Sequence, residues 1–209
     1  LLAKAPKYEP DTEFLYSNAG YAIAGSIAET VIGEPWETLV QKYVFDPLGM
    51  ESAGFGAPVG DNAVDEPWGH AILFGFKSGI DPKSGRADNT PLIGPAGSIH
   101  VSMADLLKYA QEHLNAERDE GRVLSKSAAE YLHTPHLENY GGGWVIVERE
   151  WADGRLVWHN GSNTMWVAVL TLIPEKNAAI LFVTNEGSIK KAQSEFFALT
   201  KKYGEPLGR

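Results

Sequence analysis

Hydrophobic positions recur at helical spacing in the first part of the chain and form continuous or alternating runs in the last part. The first helical pattern predicts a helix over residues 19–32, with Asn18 as its N-cap and Gly33 at its C-terminal end. Its apolar face consists of Ala24, Ile27 and Val31. An amphipathic helix is therefore expected close to the start of the sequence.

Further helices are predicted from their end signals. Pro35 suits the first turn of a second helix, and Pro47 is expected to stop it. Ser102 and Ser125 are the predicted N-caps of two more helices. Residues 54–97 are rich in Gly, Pro, Asp and Ser, which favours loops with short strands.

The last part of the chain carries runs of β-branched and aromatic residues that predict strands. The segments "GWVIVERE" and "RLVWHNG" flank "WADG", whose Asp153-Gly154 pair is typical of a hairpin. The segments "MWVAVLTLI" and "AAILFVTN" form a second pair, apolar on both faces, and are expected inside a sheet covered by helices. A helix over residues 188–203 follows, with an apolar stripe at Ala192, Phe196, Leu199 and Tyr203. The pattern predicts an α+β fold with an antiparallel sheet flanked by helices.

Composition and charge exclude several classes of protein. The 209 residues are 44% hydrophobic, enough for a substantial core. The net charge of −9 argues against a nucleic-acid partner, and no window approaches the uninterrupted apolar length of a membrane segment. The chain has no cysteine, which excludes disulfides, thiolate metal sites and thiol nucleophiles.

One histidine pair has the spacing of metal ligands. His133 and His136 lie in "HTPH", but Pro135 breaks the helix that would align them and no nearby carboxylate completes a ligand set. We therefore predict neither a metal nor another cofactor.

The tripeptide "YSN" places Tyr16 and Asn18 where the first helix starts. A tyrosine can act as a general base or acid if a neighbouring cation lowers its pKa from about 10, and an asparagine amide can hold a carbonyl group. Taken alone, the tripeptide is better explained by a buried tyrosine beside a helix cap.

A second polar cluster, "WHNGSN" at residues 158–163, changes this interpretation. It follows "YSNAGY", "FDPLGM", "GPAGSIHVSMADLLKY" and "YGGGW" in that order and precedes "VTNEG". Over nearly the whole chain, this series resembles the serine β-lactamase and penicillin-binding-protein superfamily. It is most similar to the branch of class C-like β-lactamases, D-alanyl-D-alanine carboxypeptidases and esterases. The resemblance implies a β-lactamase/transpeptidase-like fold and a family that is often extracytoplasmic in bacteria.

The family combines a Ser-x-x-Lys, a Tyr-x-Asn and a Lys-Thr-Gly or His-x-Gly element. The resemblance implies that Tyr16 shuttles a proton to or from the nucleophile and the leaving group, and that Asn18 orients the substrate. These are a predicted catalytic residue and a predicted substrate-binding residue.

The third element is the strand motif. By resemblance, His159 takes its first position, Gly161 lets the substrate approach the strand backbone, and the Ser162 N–H donates to the oxyanion. Asn163, in the same motif, is a further predicted substrate contact. Because a histidine is only partly charged at neutral pH, its presence instead of lysine favours an ester or a neutral amide over a substrate carboxylate.

The Ser-x-x-Lys element is missing. Only fifteen residues precede Tyr16, and the one formal match, at Ser188, is better explained as the start of the terminal helix. A Gly-x-Ser-x-Gly elbow is absent as well. We interpret residues 1–209 as the C-terminal portion of one β-lactamase-like domain, incomplete on its N-terminal side, with helices and loops over 1–140 and strands and the terminal helix over 141–209. Such a portion should expose apolar surface and self-associate or pair with the absent segment.

The predicted function is therefore part of a serine acyl hydrolase that cleaves a small ester, amide or peptide-like substrate through an acyl-enzyme, with its nucleophile outside this chain. The alternative is a non-catalytic binding module of the same fold, which has lost its nucleophile and binds peptidoglycan-like or acyl ligands or a partner protein. The sequence leaves ester, amide and β-lactam substrates open.

Overall fold

The computed structural model describes residues 5–60, 65–204 and 206. Its α-helices are α1 (Asn18–Ile32), α2 (Trp36–Val40), α3 (Asp46–Leu48), α4 (Gly94–Gly97), α5 (Met103–Glu117), α6 (Lys126–Leu132) and α7 (Ile189–Gly204). Its strands are β1 (Gly54–Phe55), β2 (Gly69–Leu73), β3 (Phe76–Ile80), β4 (Ile99–His100), β5 (Val145–Arg149), β6 (Gly154–Ser162), β7 (Val167–Ile173) and β8 (Ala178–Thr184). None of the helices in these residues combines the length and apolarity needed to cross a membrane.

Serine side chains begin three of the helices. Ser102 and Ser125 cap α5 and α6, as predicted, each accepting a hydrogen bond from a backbone N–H three residues further on. The predicted cap of α1 is wrong by one residue: Ser17, with φ of −149°, accepts a bond from the Gly20 N–H at 3.1 Å. Asn18 is already helical, because the cap must keep an extended backbone.

Glycines in the left-handed conformation end the first helices. Gly33, with φ of 82°, ends α1 as predicted. Pro47 does not stop the second helix, because α2 continues through a π-helical turn, Gln41–Phe45, into α3. Pro47 lies in the first turn of α3, where its missing N–H is tolerated, and the helix ends at Gly49.

The main sheet is antiparallel, in the order β5-β6-β7-β8, so both predicted strand pairs are confirmed. Alternation along β7 sends Val167 and Val169 towards α7, and Leu170 and Leu172 towards the α5 side. The prediction that both last strands lie inside the sheet is confirmed for β7 only. Among the described residues β8 is an edge strand, and its side chains are mostly half-buried.

The terminal helix α7 buries a face that follows a spacing of four residues: Ala192, Phe196, Thr200 and Gly204. Tyr203, which was predicted to lie on this face, is 58% exposed. The reason is close packing at the end of the helix, where a Cβ added to Gly204 would lie 2.3 Å from the Trp151 ring.

The first helix leaves its predicted apolar face uncovered in the described structure. α1 is buried at Gly25, where an added Cβ would lie 2.5 Å from Pro95 Cγ of α4. Ile27 is 58% exposed and Val31 is 78% exposed. We call Ala24, Ile27 and Val31 the α1 apolar face.

The loop-rich middle contains the β2–β3 hairpin, in agreement with the predicted short strands. Its base is bound to the loop that follows β6 and to the residue after β8, because the His70 N–H donates to the carbonyl of Met165 and to that of Asn185. The Trp166 indole donates to the Pro67 carbonyl at 3.0 Å. The hairpin therefore fixes the chain directly after the "WHNGSN" motif.

Candidate active site

The structure brings together Tyr16 and His159, two predicted site residues from opposite ends of the chain. Tyr16 directly precedes the cap of α1, and His159 lies near the end of β6. Their rings are stacked, with centroids 6.0 Å apart and planes inclined at 26°. Tyr140, from the loop before β5, completes the cluster and meets the His159 ring edge-on at 5.9 Å.

Both imidazole nitrogens of His159 are hydrogen-bonded. Nδ1 lies 2.7 Å from the Asn160 carbonyl oxygen, and Nε2 lies 3.1 Å from the Tyr140 hydroxyl. Because a carbonyl can only accept, Nδ1 carries a hydrogen, and Nε2 of the neutral ring then accepts from the tyrosine. Burial lowers the pKa of His159, against the opposing effect of the Asn160 bond, so the ring is neutral at pH 7.

Tyr16 is protonated in this arrangement. Its side chain is half-exposed at the mouth of a cleft. Partial burial, and next the nearby Tyr21, raise the pKa of Tyr16 above its ordinary value. This shift is opposite to the one that a general base requires, so the phenol is suited to donate a proton or a hydrogen bond.

The cleft beside Tyr16 has a volume of about 370 Å³. Its walls are formed by Phe14, Leu15, Tyr16, Ser17, Gly20, Tyr21, Ala24, Tyr140 and Gly141. In the described part of the chain, no charged side chain belongs to these walls. The cleft therefore suits an uncharged, partly apolar group.

The end of β6 has an open edge. Its pairing with β5 ends at Trp158, whereas its pairing with β7 continues to Ser162. Among the described residues, 159–162 thus have a strand partner on one side only. Gly161 is exposed, and an added Cβ there would meet no atom within 4 Å. An extended ligand could bond to this backbone as an additional strand.

The predicted residues at the end of this motif are bound to their own chain. Ser162 Oγ accepts a hydrogen bond from the Thr164 N–H at 2.9 Å, which leaves the role of its backbone N–H a prediction. Asn163 Oδ1 accepts from the N–H groups of Met165 and Trp166, while Nδ2 donates to the Asp88 carboxylate at 3.0 Å and to the Ala87 carbonyl. Asn163 thereby joins the loop after β6 to the middle of the chain.

Asn18 is the first residue of α1 and is exposed, but it is not one of the residues that line the cleft. Its predicted contact with a substrate stays a prediction. His133 and His136 do not share a site: His133 bonds to His113 and Glu117 in the core, whereas His136 Nε2 lies near the Tyr131 carbonyl.

Sequence reasoning missed Tyr140 and Tyr21 as site residues. The available signal for Tyr140 was the run of glycines that follows it. An added Cβ at Gly141 would lie 2.3 Å from the Leu132 carbonyl oxygen, and one at Gly142 would lie 2.4 Å from Leu132 Cδ2. These glycines let the loop pack against the end of α6, which turns Tyr140 towards His159.

Comparison with known proteins places this geometry in a family. The sequence model of the family described as Beta-lactamase matches residues 1–200. The chain is 26% identical over 192 residues to Penicillin-binding protein 4 of Amycolatopsis lactamdurans, a match that covers 85% of this chain and 49% of that protein. It is 33% identical over 119 residues to the Unguisins hydrolase of Aspergillus violaceofuscus, which covers 56% of this chain and 20% of the relative.

Solved structures agree on the fold. The octameric penicillin-binding protein homologue of Pyrococcus abyssi superposes with a TM-score of 0.73 at 25% identity, over 95% of this chain and 44% of that one. The Beta-Lactamase/D-Alanine Carboxypeptidase of Pseudomonas syringae superposes with a TM-score of 0.74 at 14% identity, over 96% and 62% of the respective chains. The predicted β-lactamase/transpeptidase-like α+β fold is confirmed. The chain spans about half the length, 49%, of the penicillin-binding protein that it matches.

Proposed function

Because the chain belongs to the β-lactamase family, we propose that it supplies the tyrosine and the open strand edge of a serine acyl hydrolase site. Such a site cleaves an ester or amide through an acyl-enzyme. The observation that carries the proposal is the stacking of Tyr16 on His159 beside the open edge of β6 and an uncharged cleft. The hydrolases among the relatives of this chain support the same reaction class.

In this proposal the phenol of Tyr16 starts protonated and relays a proton. As its own proton passes to the leaving group, its oxygen takes the proton of the attacking serine hydroxyl; in deacylation the same relay passes a proton of water back to the serine. The substrate lies along residues 159–162, and the Ser162 N–H donates to the oxyanion. Gly161 leaves room for this approach, and Asn18 contacts the substrate at the rim.

The substrate that we propose is uncharged near His159. A carboxylate would need a cation, but His159 is neutral at pH 7 and the walls of the cleft, within the described residues, carry no charge. An ester or a neutral amide carries no charge, so its binding there leaves no buried charge without a partner. The presence of a histidine instead of a lysine already favoured an ester or a neutral amide in the sequence, and the neutral state of its ring supports the same preference.

The nucleophile of the proposed reaction is a serine outside these 209 residues. Ser188, the formal match to Ser-x-x-Lys, directly precedes α7, which packs on the face of the sheet opposite to the α5 side. His159 lies on the α5 side, because it follows the α5-facing Val157 by two positions along β6. Ser188 is therefore poorly placed to serve Tyr16 and His159.

The alternative is a non-catalytic binding module of the same fold. The exposed α1 apolar face does not favour it, because exposed apolar surface is what we expect of a hydrolase portion that self-associates or pairs with another segment. On either proposal the chain self-associates through that face, as the exposure of Ile27 and Val31 suggests. The octameric homologue makes assembly a reasonable expectation for this chain as well. An extracytoplasmic location, which the family resemblance implies, stays a prediction.

The test is covalent labelling by a fluorophosphonate, followed by intact mass measurement. The 22.8 kDa chain should take up no label, whereas the full gene product should take up one label on a serine outside these residues. An adduct on Ser188 would overturn the assignment of the nucleophile. Absence of a label on the full gene product would favour the binding module.

A further inference from the structure

Tyr140 is a half-buried member of the cluster and bonds to His159. Its hydroxyl is 3.1 Å from His159 Nε2, and Tyr21 of α1 is near enough to affect its pKa. Burial, the largest cause, raises the pKa of Tyr140, so the hydroxyl keeps its proton. Phe14 packs against the ring with centroids 4.8 Å apart and fixes its position.

These contacts determine what His159 can offer to a ligand. Nδ1 donates its hydrogen to the Asn160 carbonyl, and the lone pair on Nε2 accepts from Tyr140. The ring therefore presents no free N–H group to a ligand. A ligand that only accepts hydrogen bonds, such as a carboxylate, has nothing to bond to on this side chain.

We propose that Tyr140 is a positioning and specificity-determining residue: its hydroxyl occupies Nε2 of His159, whose Nδ1 is already bonded to the Asn160 carbonyl, and thereby excludes acidic ligands from the site. The role in specificity rests on the hydrolase function proposed above. The bond between Tyr140 and Nε2 of His159 does not, because both residues are present in this chain.

The surroundings of His159 leave Tyr140 as the side chain that bonds to its Nε2 atom. Tyr16 stacks on the imidazole, and Leu170 is its neighbour on β7. Among the described residues, the effects that shift the pKa of His159 are its burial and the Asn160 bond, without a contribution from a carboxylate or an ammonium group. Removal of the Tyr140 hydroxyl would free Nε2 to take up a proton.

The test is long-range ¹H–¹⁵N NMR of the histidine side chains between pH 5 and 8, with His159 assigned by the His159→Gln variant. The unmodified chain should show the Nδ1–H tautomer. In Tyr140→Phe, the nitrogen shifts of His159 should change and the ring should protonate at higher pH. Benzoate at pH 6 should then bind about tenfold more tightly or better, the effect of a charge-assisted hydrogen bond.

Tyr131→Phe is the matched control. Tyr131 stacks on His136 with centroids 4.2 Å apart, but His136 Nε2 bonds to the backbone carbonyl of Tyr131 and not to its hydroxyl. This variant should leave every histidine unchanged.

An Nε2–H tautomer in the unmodified chain would overturn the proposal, and this reading needs no variant to fold. Unchanged titration of His159 in a folded Tyr140→Phe chain would overturn it too. Neither readout requires hydrolysis, so the labelling experiment and this one fail independently. A changed titration of His159 without tighter benzoate binding would overturn the role in specificity alone.

Discussion

His113 Nδ1 lies 2.9 Å from His133 Nε2, and both imidazoles are buried between α5, the end of α6 and Trp144. His133 Nδ1 is also 2.5 Å from Glu117 Oε1, and the other Glu117 oxygen is 2.9 Å from the Arg155 guanidinium. Burial, and next the neighbouring His133, lower the pKa of His113 to about 3. His113 therefore stays uncharged, while His133 is bonded to Glu117, which forms an ion pair with Arg155.

The histidine pair predicts that acid destabilises the chain well above the range in which carboxylates titrate. An unfolded histidine has a pKa of about 6.5, so below that pH the unfolded state binds more protons than the folded one. The contribution of His113 is complete above about pH 6.5 and is lost progressively as the pH falls towards 3. At pH 5 the loss should be about 2 kcal/mol.

Urea denaturation at pH 8, 6 and 5 measures this loss. The His113→Gln variant should be less stable at pH 8 but should vary less with pH than the unmodified chain between 6.5 and 5. Equal midpoints for the unmodified chain at pH 8 and 5 would contradict the prediction.

Glu112 predicts a large loss of stability from a single substitution. Its Oε1 atom accepts hydrogen bonds from the backbone N–H groups of Arg122, Val123 and Leu124, at 2.7, 2.7 and 2.9 Å. Glu112→Ala would leave these donors without their acceptor inside the protein and should cost about 3 kcal/mol or more. Glu112→Gln keeps a side-chain oxygen and should cost less.

Thermal unfolding of the two Glu112 variants checks the order. Glu120→Ala is the control, because the Glu120 side chain is 62% exposed and bonds to Arg118 at the surface. That variant should lie within about 0.5 kcal/mol of the unmodified chain. If Glu112→Ala is as mild as Glu120→Ala, the three bonds do not stabilise this loop.

Thr171 predicts a substitution that does not destabilise. Its hydroxyl is buried in β7 without a hydrogen-bond partner, and it faces Trp158 and Ile180 across the sheet. Thr171→Val keeps the shape and removes the unpaired polar group, so it should be neutral or should stabilise by about 1 kcal/mol. Thr171→Ser keeps the hydroxyl and removes a methyl group, so it should destabilise. A lower urea midpoint for the valine variant than for the serine variant would contradict this reading.

Local chemistry predicted local structure well in this chain. Ser102 and Ser125 were identifiable as caps because a cap depends only on its own side chain and the next few backbone groups. The choice between Ser17 and Asn18 failed because both residue types suit a cap, and only the backbone angles of the folded chain separate them.

Long-range packing decided the rest. Tyr16 and His159 were predicted to belong to one site through the family resemblance, since nothing local joins two positions so far apart in sequence. Tyr140 could not be selected in the same way, because its role depends on a hydroxyl from one loop reaching a ring on β6. The exposed Tyr203 shows the same limit: helical spacing alone does not indicate that Trp151 packs against Gly204.

A substitution at Gly161 should affect the function of the strand edge without affecting the stability of the protein. The φ of Gly161 is not in the left-handed region, and an added Cβ would meet no atom within 4 Å, so Gly161→Ala should change the stability by less than about 0.5 kcal/mol. The added methyl group would nevertheless stand where an extended substrate approaches residues 159–162. We expect fluorophosphonate labelling of the full gene product to slow by about tenfold or more, because a displaced substrate loses its alignment for attack.

Gly204→Ala is the control with the opposite expected pattern, since its Cβ would lie 2.3 Å from the Trp151 ring. That variant should lower the urea midpoint and, while the protein is folded, leave the labelling rate unchanged. If Gly161→Ala labels at the original rate, the substrate does not lie along this edge.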